Sequence, residues 1–306
     1  MRKEFSQWAE DYGRRESRLI FLTGDLGFMA LENVRAALGS RFVNMGVCEQ
    51  NMISVAAGLA RQGLRPLCYS IASFAVFRPY EQIRLDAALH SLPVRIVGNG
   101  GGYGYGIMGA THHALEDIAA LSCLPNFACV VPLCNSDVAS AAEALFRHDG
   151  PGYLRLGLGL WPEQLGVLPE FRPIRRLVTA RIAPARLTVV GLGPVLLNVL
   201  PWIADIAGVD VFVVSQLPLP AVDDALVRSV AGSRRVLVIE EHVARGGMGE
   251  HVAAALVKEG VAFKMHHRHA AGYPNGRYGS QAYHQTQSGL DGASLKKTVS
   301  ELLGSI

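Results

Sequence analysis

The chain has 306 residues, enough for two domains, and half of them are hydrophobic while 18% are charged, a composition that excludes a disordered or fibrous protein. The formal net charge of +3 is spread along the sequence in short basic pairs without interleaved aromatics, so we expect no nucleic-acid partner. Five cysteines form no Cys-x-x-Cys pair, and no segment resembles a signal peptide or a membrane span, so we predict a cytoplasmic location and no membrane association.

Short apolar runs alternate with amphipathic segments in the first half of the chain. The runs indicate buried strands at 19–22, 42–45, 67–71, 94–98, 129–132 and 153–156. The clearest helix is predicted from Cys48 to Gln62, because apolar residues recur there at helical spacing and Gly63 follows as a stop. Strands that alternate with such helices predict a parallel sheet covered on both faces.

The alternation restarts after a Gly- and Pro-rich stretch at 157–173 that indicates a linker. A second set of strands is predicted at 187–191, 209–215, 234–241 and 261–265, with helices near 195–206, 221–231, 248–259 and 294–303. The Tyr-, His- and Gly-rich segment 266–289 is expected to be an irregular surface loop. Its clustered histidines lack the spacing of metal ligands on a helix.

Glu49 is the first candidate for chemistry. It falls in the first turn of the predicted helix, at the edge of the sheet where parallel strands end. Ligands bind at that edge in open α/β sheets. A first-turn glutamate also stabilises a helix by opposing its dipole, so position alone leaves both interpretations open.

The residues around Glu49 favour the functional interpretation. The segment GVCEQNMISVAAGLARQG (46–63) resembles the glutamate motif of the transketolase superfamily, G-[IV]-x-E-[QH]-x-M followed by an Ala/Gly-rich helix. The resemblance implies that Glu49 is catalytic and protonates the aminopyrimidine ring of bound thiamine diphosphate. A carboxyl group in an apolar pocket suits such proton exchange, and the cofactor supplies the electron sink.

Phe74, Phe77 and Tyr80 recur every three residues, a spacing that is also typical of the buried stripe of a core helix. Their segment resembles the family stretch T-F-x-x-F-x-x-[RY]-x-[YF]-[DE]-Q-[IV]. The resemblance implies that the three rings bind the cofactor as an aromatic wall, with Phe77 as the stacking partner of its pyrimidine, an interaction worth about 1 kcal/mol beyond burial.

A glycine-rich run at 98–117 ends in paired histidines. The triplet Gly104-x-Gly106-x-x-Gly109 fits a dinucleotide-binding pattern, but it does not directly follow the strand and no acidic residue lies at the required distance, which disfavours nucleotide binding. The run resembles the family loop G-x-x-G-x-x-G-x-T-H-[HQ]. The resemblance implies that His112 is catalytic, moving protons on sugar oxygens, and that His112 and His113 bind substrate. A loop histidine is otherwise often only solvated, although imidazole suits proton transfer.

One departure from the family bears on the substrate. By spacing from His112, Gly100 and Met108 stand where sugar-phosphate transketolases carry a histidine and an aspartate that contact substrate hydroxyls. Their replacement implies a different or modified sugar, in a pocket that Tyr103 and Tyr105 would reshape.

Arg155 and Asp25 complete the candidate site. Arg155 aligns with a family arginine that binds the phosphate of the acceptor, a task that suits a guanidinium fork, although a surface salt bridge explains a lone arginine equally well. Asp25 matches the first-strand motif of the family near the cofactor, although an aspartate that caps a helix at 28–38 would look the same.

The metal site of the family is missing from this sequence. Family members bind Mg²⁺ and the diphosphate through a Gly-Asp-Gly motif followed by Asn-Asn, and no Gly-Asp-Gly occurs here. We therefore assign no metal ligand. We expect a separate N-terminal transketolase subunit to bind the diphosphate through Mg²⁺, with the active species an α2β2 heterotetramer.

The resemblance covers nearly the whole chain, since VLVIEEHVARGGMG (236–249) is similar to the transketolase C-terminal signature. It implies a pyrimidine-binding thiamine diphosphate domain (1–165), a linker (166–180) and a transketolase C-terminal domain (181–306), each domain a three-layer α/β/α fold. The implied function is transfer of a two-carbon ketol unit from a ketose or ketose phosphate to an aldose acceptor, only with the partner. Two alternatives stay open: a decarboxylating synthase of the deoxyxylulose-phosphate type or a 2-oxo acid dehydrogenase β subunit, and a non-catalytic assembly or regulatory homologue.

Overall fold

The computed structural model describes residues 1–27, 29–273 and 276–304, and its strands form two sheets. The strands are β1 (Leu19–Thr23), β2 (Phe42–Asn44), β3 (Arg65–Ile71), β4 (Arg95–Asn99), β5 (Ala128–Val130), β6 (Gly152–Leu156), β7 (Ile174–Val178), β8 (Leu187–Leu192), β9 (Val209–Val214), β10 (Gln216–Leu217), β11 (Arg235–Glu240) and β12 (Lys264–His269). The helices are α1 (Arg2–Arg15), α2 (Glu32–Leu38), α3 (Glu49–Arg61), α4 (Ala72–Phe77), α5 (Tyr80–Gln82), α6 (Asp117–Ser122), α7 (Val138–Arg147), α8 (Leu200–Ile203), α9 (Asp224–Ser233), α10 (Met248–Lys258), α11 (Gln281–Gln287) and α12 (Gly292–Gly304).

Both sheets are mostly parallel. The first has seven strands in the order β10-β5-β6-β4-β3-β1-β2, and the second has five in the order β12-β11-β8-β9-β7. Each has one antiparallel edge strand, β10 against β5 and β7 against β9. Every residue of β8 and β9 is buried, as expected for apolar, β-branched strands with helices on both faces. This confirms the predicted fold class.

The carboxyl-terminal ends of the first sheet position the candidate site. β2 ends at Asn44, and α3 starts at Glu49 with its apolar face, including Met52, Ile53 and Ala56, fully buried in the core. The predicted helix at 48–62 is thus confirmed, and Gly63 follows it with φ +82°, a conformation that favours glycine.

An N-terminal helix was not expected from the sequence. In α1, Phe5 is fully buried and stacks on Tyr69 of β3 with ring centroids 5.7 Å apart, while Trp8 stacks on Tyr12 at 4.9 Å. These aromatics lie three and four residues apart, the spacing of one helix face. Their burial covers one face of the first sheet.

Several expected boundaries are wrong. The strand predicted at 261–265 lies at Lys264–His269, so the expected irregular segment 266–289 contains most of β12 and all of α11. The helix predicted at 195–206 is a 3₁₀ segment, Gly193–Asn198, followed by the four-residue α8, because Pro201 lacks the N–H that a continuous helix needs. The helix predicted at 28–38 is α2, and Phe28 lies outside the described residues.

One part of the hydrophobic core is shared by the two sheets. A single cluster of buried residues joins Leu22 and Met52 of the first half to Val190 and Phe212 of the second. β7 lies inside the segment 166–180 predicted as a linker and pairs with β9 of the second sheet. β10 crosses back from the second half to pair with β5 of the first sheet, so the halves are interlocked.

Candidate active site

Glu49 lies buried at the carboxyl edge of the first sheet. It is the first residue of α3 and only 2% exposed. Ser70, at the end of β3, donates its hydroxyl to Glu49 Oε1 at 3.4 Å. Gly24, just after β1, lies beside both groups, because a Cβ there would sit 3.4 Å from Ser70 Oγ and 3.7 Å from Glu49 Oε1. The ends of three neighbouring elements therefore converge on this carboxylate.

Arg78 is the charged partner of Glu49. Its Nη1 donates to Glu49 Oε1 at 3.0 Å and to Oε2 at 3.1 Å, while its side chain remains 39% exposed. The guanidinium also packs over the ring of Phe74, 3.7 Å from the centroid. A buried carboxylate thus faces a cation that solvent reaches.

His112 also contacts Phe74. It ends a 3₁₀ turn, Ala110–His112, and its ring centroid is 4.9 Å from that of Phe74. His112 Nδ1 and the Thr111 hydroxyl are 2.9 Å apart in a hydrogen bond. Since Phe74 contacts both Arg78 and His112, one aromatic ring connects the surroundings of Glu49 with those of His112. The structure therefore brings together three of the predicted site residues.

Phe77 and Asp25 lie at the solvent side of this edge. Phe77 ends α4 and is 40% exposed, unusual for a large aromatic side chain in a helix packed on a core. Asp25 has φ +56° and accepts a hydrogen bond from Asn44 Nδ2 at 2.7 Å. It does not cap α2, whose N-cap is Leu31. Asp25 and Asn44 instead line a cleft of about 330 Å³.

Tyr80 is directed away from this group. Its hydroxyl donates to the carbonyl of Ala120 in α6 at 2.7 Å and lies 3.7 Å from Cys123 Sγ. Burial, followed by the contact with Cys123, raises the pKa of Tyr80 to about 12. Its predicted place in the aromatic wall is at odds with these contacts, because the ring is held by the core and by α6.

His113 is separated from His112 despite being adjacent in sequence. It is 3% exposed, its ring stacks on Tyr273 at 5.6 Å, and it meets Tyr103 and His284 edge-on at 5.0 and 4.8 Å. Burial, and then the charge of His284, lower the pKa of His113 to about 4. This places the predicted substrate ligand inside an aromatic cluster with the second domain.

Arg155 lies in the interior. Only 5% exposed, it donates Nε to Asp117 Oδ2 at 2.8 Å and Nη2 to the carbonyls of Ala114 and Glu241 at 2.7 and 3.0 Å. The predicted contact with a substrate phosphate is at odds with this burial. The guanidinium instead joins groups from both domains.

Tyr105 explains the glycine at position 100. Gly100 has φ +75°, and a Cβ there would lie 2.3 Å from the Tyr105 ring, so this ring occupies the space of a side chain at that position. The Tyr105 hydroxyl accepts a hydrogen bond from Asn99 Nδ2 at 2.5 Å, and the ring lies 6.3 Å from His112. Met108 is 49% exposed. Of the two tyrosines predicted to reshape the pocket, Tyr105 lies near His112, whereas Tyr103 is fully buried.

Comparison with known families identifies both halves. Residues 1–162 match "Transketolase, pyrimidine binding domain" and residues 182–293 match "Transketolase, C-terminal domain". The chain belongs to the transketolase family. The expected fold is thereby confirmed at the level of family, as is the expectation of a transketolase-type transferase.

Relatives of this family span different lengths. A subunit of the apulose-4-phosphate transketolase of Phocaeicola vulgatus is 27% identical over 86% of this chain and 86% of its own length. The 1-deoxy-D-xylulose-5-phosphate synthase of Methylibium petroleiphilum is 30% identical over 98% of this chain but only 48% of its own length. A solved structure described as "Split gene transketolase, inactive beta4 tetramer" superposes with TM-score 0.81 at 26% identity, covering 99% of this chain and 98% of its own.

Within 1–27, 29–273 and 276–304, no cluster of three or more His, Cys, Asp or Glu side chains is arranged to hold a metal ion. Over the same residues, none of the helices has the length and apolarity needed to cross a bilayer.

Arg78 was absent from the predicted site. The sequence shows that Arg78 lies in the aromatic segment, but it does not show that Arg78 pairs with Glu49.

Proposed function

We propose that this chain is the C-terminal subunit of a split, thiamine-diphosphate-dependent transketolase. It would transfer a two-carbon ketol unit from a ketose or ketose phosphate to an aldose acceptor. The observation that carries the proposal is the buried Glu49 carboxylate, held by a half-exposed arginine and connected through Phe74 to His112.

The residues present fit the pyrimidine half of the cofactor. Glu49 supplies a buried carboxylate, Gly24 leaves room beside it, and Phe77 presents a partly exposed aromatic face nearby in sequence to Arg78. Glu49, Phe74 and Phe77 would hold the pyrimidine, and Asp25 would lie at the rim of the site. When bound, the cofactor supplies the electron sink for cleavage of the carbon–carbon bond.

The side chains of this chain then have separate tasks. Glu49 holds a proton at its carboxyl oxygen for the pyrimidine ring, in a place from which water is excluded. His112 takes and returns protons at substrate hydroxyls, a role that suits imidazole. Phe74 separates Glu49 from His112, and it packs against His112 and against Arg78, the partner of Glu49. Arg78 neutralises Glu49 when no ring occupies the site.

The surface around the site supports a partner subunit. Val47, Phe77, Ile107 and Met108 are 40–69% exposed on segments that flank Glu49 and His112. Exposed apolar side chains on segments that flank a site are expected where a partner protein covers it. A partner that covers them would bind Mg²⁺ and the diphosphate, and we propose an α2β2 assembly with the cofactor at the interface.

Two relatives bear on this assembly and on the substrate. One is named as a single subunit of an apulose-4-phosphate transketolase, and a similar solved chain is described as an inactive tetramer of β chains. By analogy, we propose that this chain is inactive alone and that its substrate is a specialised sugar or sugar phosphate. The replacement of two family polar residues by Gly100 and Met108 supports the same proposal.

Reconstitution tests the proposal. The chain is assayed with thiamine diphosphate and Mg²⁺, alone and mixed with a subunit that carries the Gly-Asp-Gly motif, on a ketose phosphate plus an aldose. Activity only in the mixture supports the proposal. Turnover of pyruvate with glyceraldehyde 3-phosphate, but not of ketoses, would assign the chain to the synthase alternative. A mixture that assembles and binds the cofactor but turns over neither substrate pair would point to the non-catalytic homologue.

A further inference from the structure

The glycine-rich loop that carries His112 is closed at its base. Gly102 and Ala114 form an isolated antiparallel bridge, with Gly102 N donating to Ala114 O at 2.9 Å and Ala114 N to Gly102 O at 3.0 Å. We call residues 102–114 the His112 loop. Any group that fixes its two ends also fixes where His112 can lie.

Glu241 of the second domain holds the first end of the loop. This buried carboxylate follows β11 and accepts a hydrogen bond from Tyr103 N at 2.7 Å, across 138 residues of sequence. Gln281 Nε2 donates to the same oxygen at 2.9 Å, and Gln285 Nε2 donates to the other oxygen. Burial raises the pKa of Glu241, and these three donors oppose that rise. Hydrogen bonds to a buried carboxylate are among the stronger ones in a protein.

Arg155 holds the second end. Its Nη2 donates both to the carbonyl of Ala114 and to the main-chain carbonyl of Glu241, while its Nε is paired with the fully buried Asp117. Both ends of the His112 loop are therefore attached to the same residue of the second domain, one directly and one through Arg155.

The His112 loop packs closely against the second domain. Gly102 has φ +67°, and a Cβ there would lie 2.2 Å from Glu241 Oε1. A Cβ on Gly106 would lie 2.7 Å from the carbonyl of Gly279. These approaches require glycine, so the glycines of the run serve close packing against the second domain, a use that differs from phosphate binding.

We infer that Glu241 is a positioning residue: the C-terminal domain sets the place of His112 in the active site by holding both ends of the His112 loop. The inference deepens the proposed function and rests on it for the role of His112. It gives the C-terminal domain a part in catalysis besides assembly, exerted through a loop of the other domain. Glu49 lies on a separate element, so its action on the cofactor is independent of Glu241.

The test uses Glu241→Ala in the complex reconstituted with the partner subunit. Two reactions are compared: exchange of the thiazolium C2 proton of thiamine diphosphate, which depends on Glu49, and sugar transfer, which also needs His112. We expect sugar transfer to fall about 10- to 100-fold, as misplacement of a catalytic group by an ångström costs, with C2 exchange within about 2-fold of wild type. Glu241→Gln keeps an acceptor for Tyr103 N and is expected to recover part of the loss.

Hydrogen exchange supplies a second readout that needs no activity. The amides of Tyr103 and Ala114 are expected to exchange faster in Glu241→Ala than in wild type, already in the lone chain. Glu250→Ala is the matched control, because Glu250 is an exposed carboxylate of the same domain that accepts one backbone N–H, from Gly246 at 2.8 Å. It is expected to change neither reaction.

Several results would overturn the inference. These are wild-type sugar transfer in Glu241→Ala, unchanged exchange at the loop amides, or a parallel loss of C2 exchange and transfer that indicates general damage. If Glu241→Ala does not assemble, the pair Gln281→Ala and Gln285→Ala replaces it, since both remove donors that hold the carboxylate. Failure of the wild-type complex to catalyse either reaction would instead refute the proposed function, and the hydrogen-exchange result would still decide whether Glu241 holds the loop.

Discussion

Two buried glutamates occupy comparable positions in the two sheets and have opposite surroundings. Glu49 starts α3 at the carboxyl edge of the first sheet, and Glu240 ends β11 at the carboxyl edge of the second. Glu240 is fully buried and accepts hydrogen bonds from the backbone N–H groups of Met248 and Gly249 at 2.7 and 2.9 Å, with His267 Nε2 at 2.7 Å. Glu49 has the side chains of Arg78 and Ser70 as its hydrogen-bond partners.

This difference in hydrogen-bond partners distinguishes a structural carboxylate, Glu240, from a carboxylate that a ligand can use, Glu49. Backbone donors at the start of α10 cannot leave Glu240 without unfolding the helix, so that carboxylate is permanently engaged. The arginine beside Glu49 sits on a flexible side chain in contact with solvent, so another partner can replace it. Burial alone does not distinguish the two residues, whereas the kind of partner does.

The largest expected effect is on catalysis at Glu49. Glu49→Gln keeps the size of the side chain but removes its proton exchange, and we expect a fall of about 10³-fold in turnover of the reconstituted complex. The free energy of unfolding should change by less than about 1 kcal/mol, because no backbone donor loses its acceptor. Steady-state kinetics measure the turnover, and urea denaturation measures the free energy of unfolding. Glu81→Gln, an exposed acid of the neighbouring α5, is the control; more than a tenth of wild-type turnover in Glu49→Gln would remove Glu49 from the mechanism.

Glu240 should show the reverse pattern. Glu240→Ala leaves two buried N–H groups at the start of α10 without their acceptor, and we expect a loss of about 3 kcal/mol in unfolding free energy. Exposed Glu259, at the end of the same helix, is the control, and Glu259→Ala should cost less than about 0.5 kcal/mol. Urea denaturation followed by circular dichroism measures both. Equal stability of the two variants would contradict a structural role for Glu240.

Arg78 and Arg84 offer a matched pair of ion pairs on one segment. Arg78 pairs with buried Glu49, whereas Arg84 pairs with exposed Glu81 at 3.1 Å. Arg78→Ala deprives a buried carboxylate of its cation and should destabilise the lone chain by about 2 kcal/mol, while Arg84→Ala should cost about 0.5 kcal/mol or less. Thermal melting with and without thiamine diphosphate and the partner measures the difference. The difference in stability between Arg78→Ala and Arg84→Ala should become smaller once the cofactor is bound. A larger difference would contradict the interpretation that a ligand can replace Arg78 as the partner of Glu49.

The smallest expected effect concerns the adjacent histidines. The pKa of His113 is lowered to about 4 in the fold, from an ordinary value of 6.5. Between these values the unfolded chain binds a proton that the folded chain does not, so the stability due to the buried neutral ring is complete above about pH 6.5 and is lost as pH falls towards 4. We expect His113→Phe to reduce the fall in unfolding free energy between pH 6.5 and pH 5.5 by about 1 kcal/mol.

The control for this measurement is His90→Phe, at an exposed histidine. It should leave the slope of stability against pH as in wild type. If His113→Phe also leaves the slope unchanged, His113 is not the buried neutral group that its surroundings indicate, and the division between a functional His112 and a structural His113 fails.

Elements with a regular apolar pattern were predictable from the sequence. β8 and β9 are unbroken buried runs, and α3 combines a helical apolar face with a terminal glycine, so each carries its structure in its own residues. β12 has the sequence KMHHRH and its bounds were predicted wrongly, because an edge strand that is only partly buried shows no apolar run. The helix α1 does carry a signal, the spacing of Phe5, Trp8 and Tyr12.

The candidate site was predictable only as far as its motifs are local. The position of Glu49 at the start of a helix follows from adjacent residues, and so does the presence of His112 on a glycine-rich loop. Three other features depend on contacts between segments 29 to 138 residues apart. They are the pairing of Glu49 with Arg78, the burial of Arg155, and the hydrogen bond that attaches the His112 loop to Glu241. The same long-range contacts separate His113 from His112, which no pattern in the sequence indicates.

The two-residue strand β10 affects how the protein unfolds and how it tolerates truncation. Leu217 is fully buried and pairs with Cys129, so the second half of the chain completes the edge of the first sheet. A protease cut or a truncation that removed the second half would leave β5 as a bare edge, a template for aggregation between chains. The two halves should therefore melt in a single calorimetric transition, and neither half should persist as a soluble fragment after the other is removed.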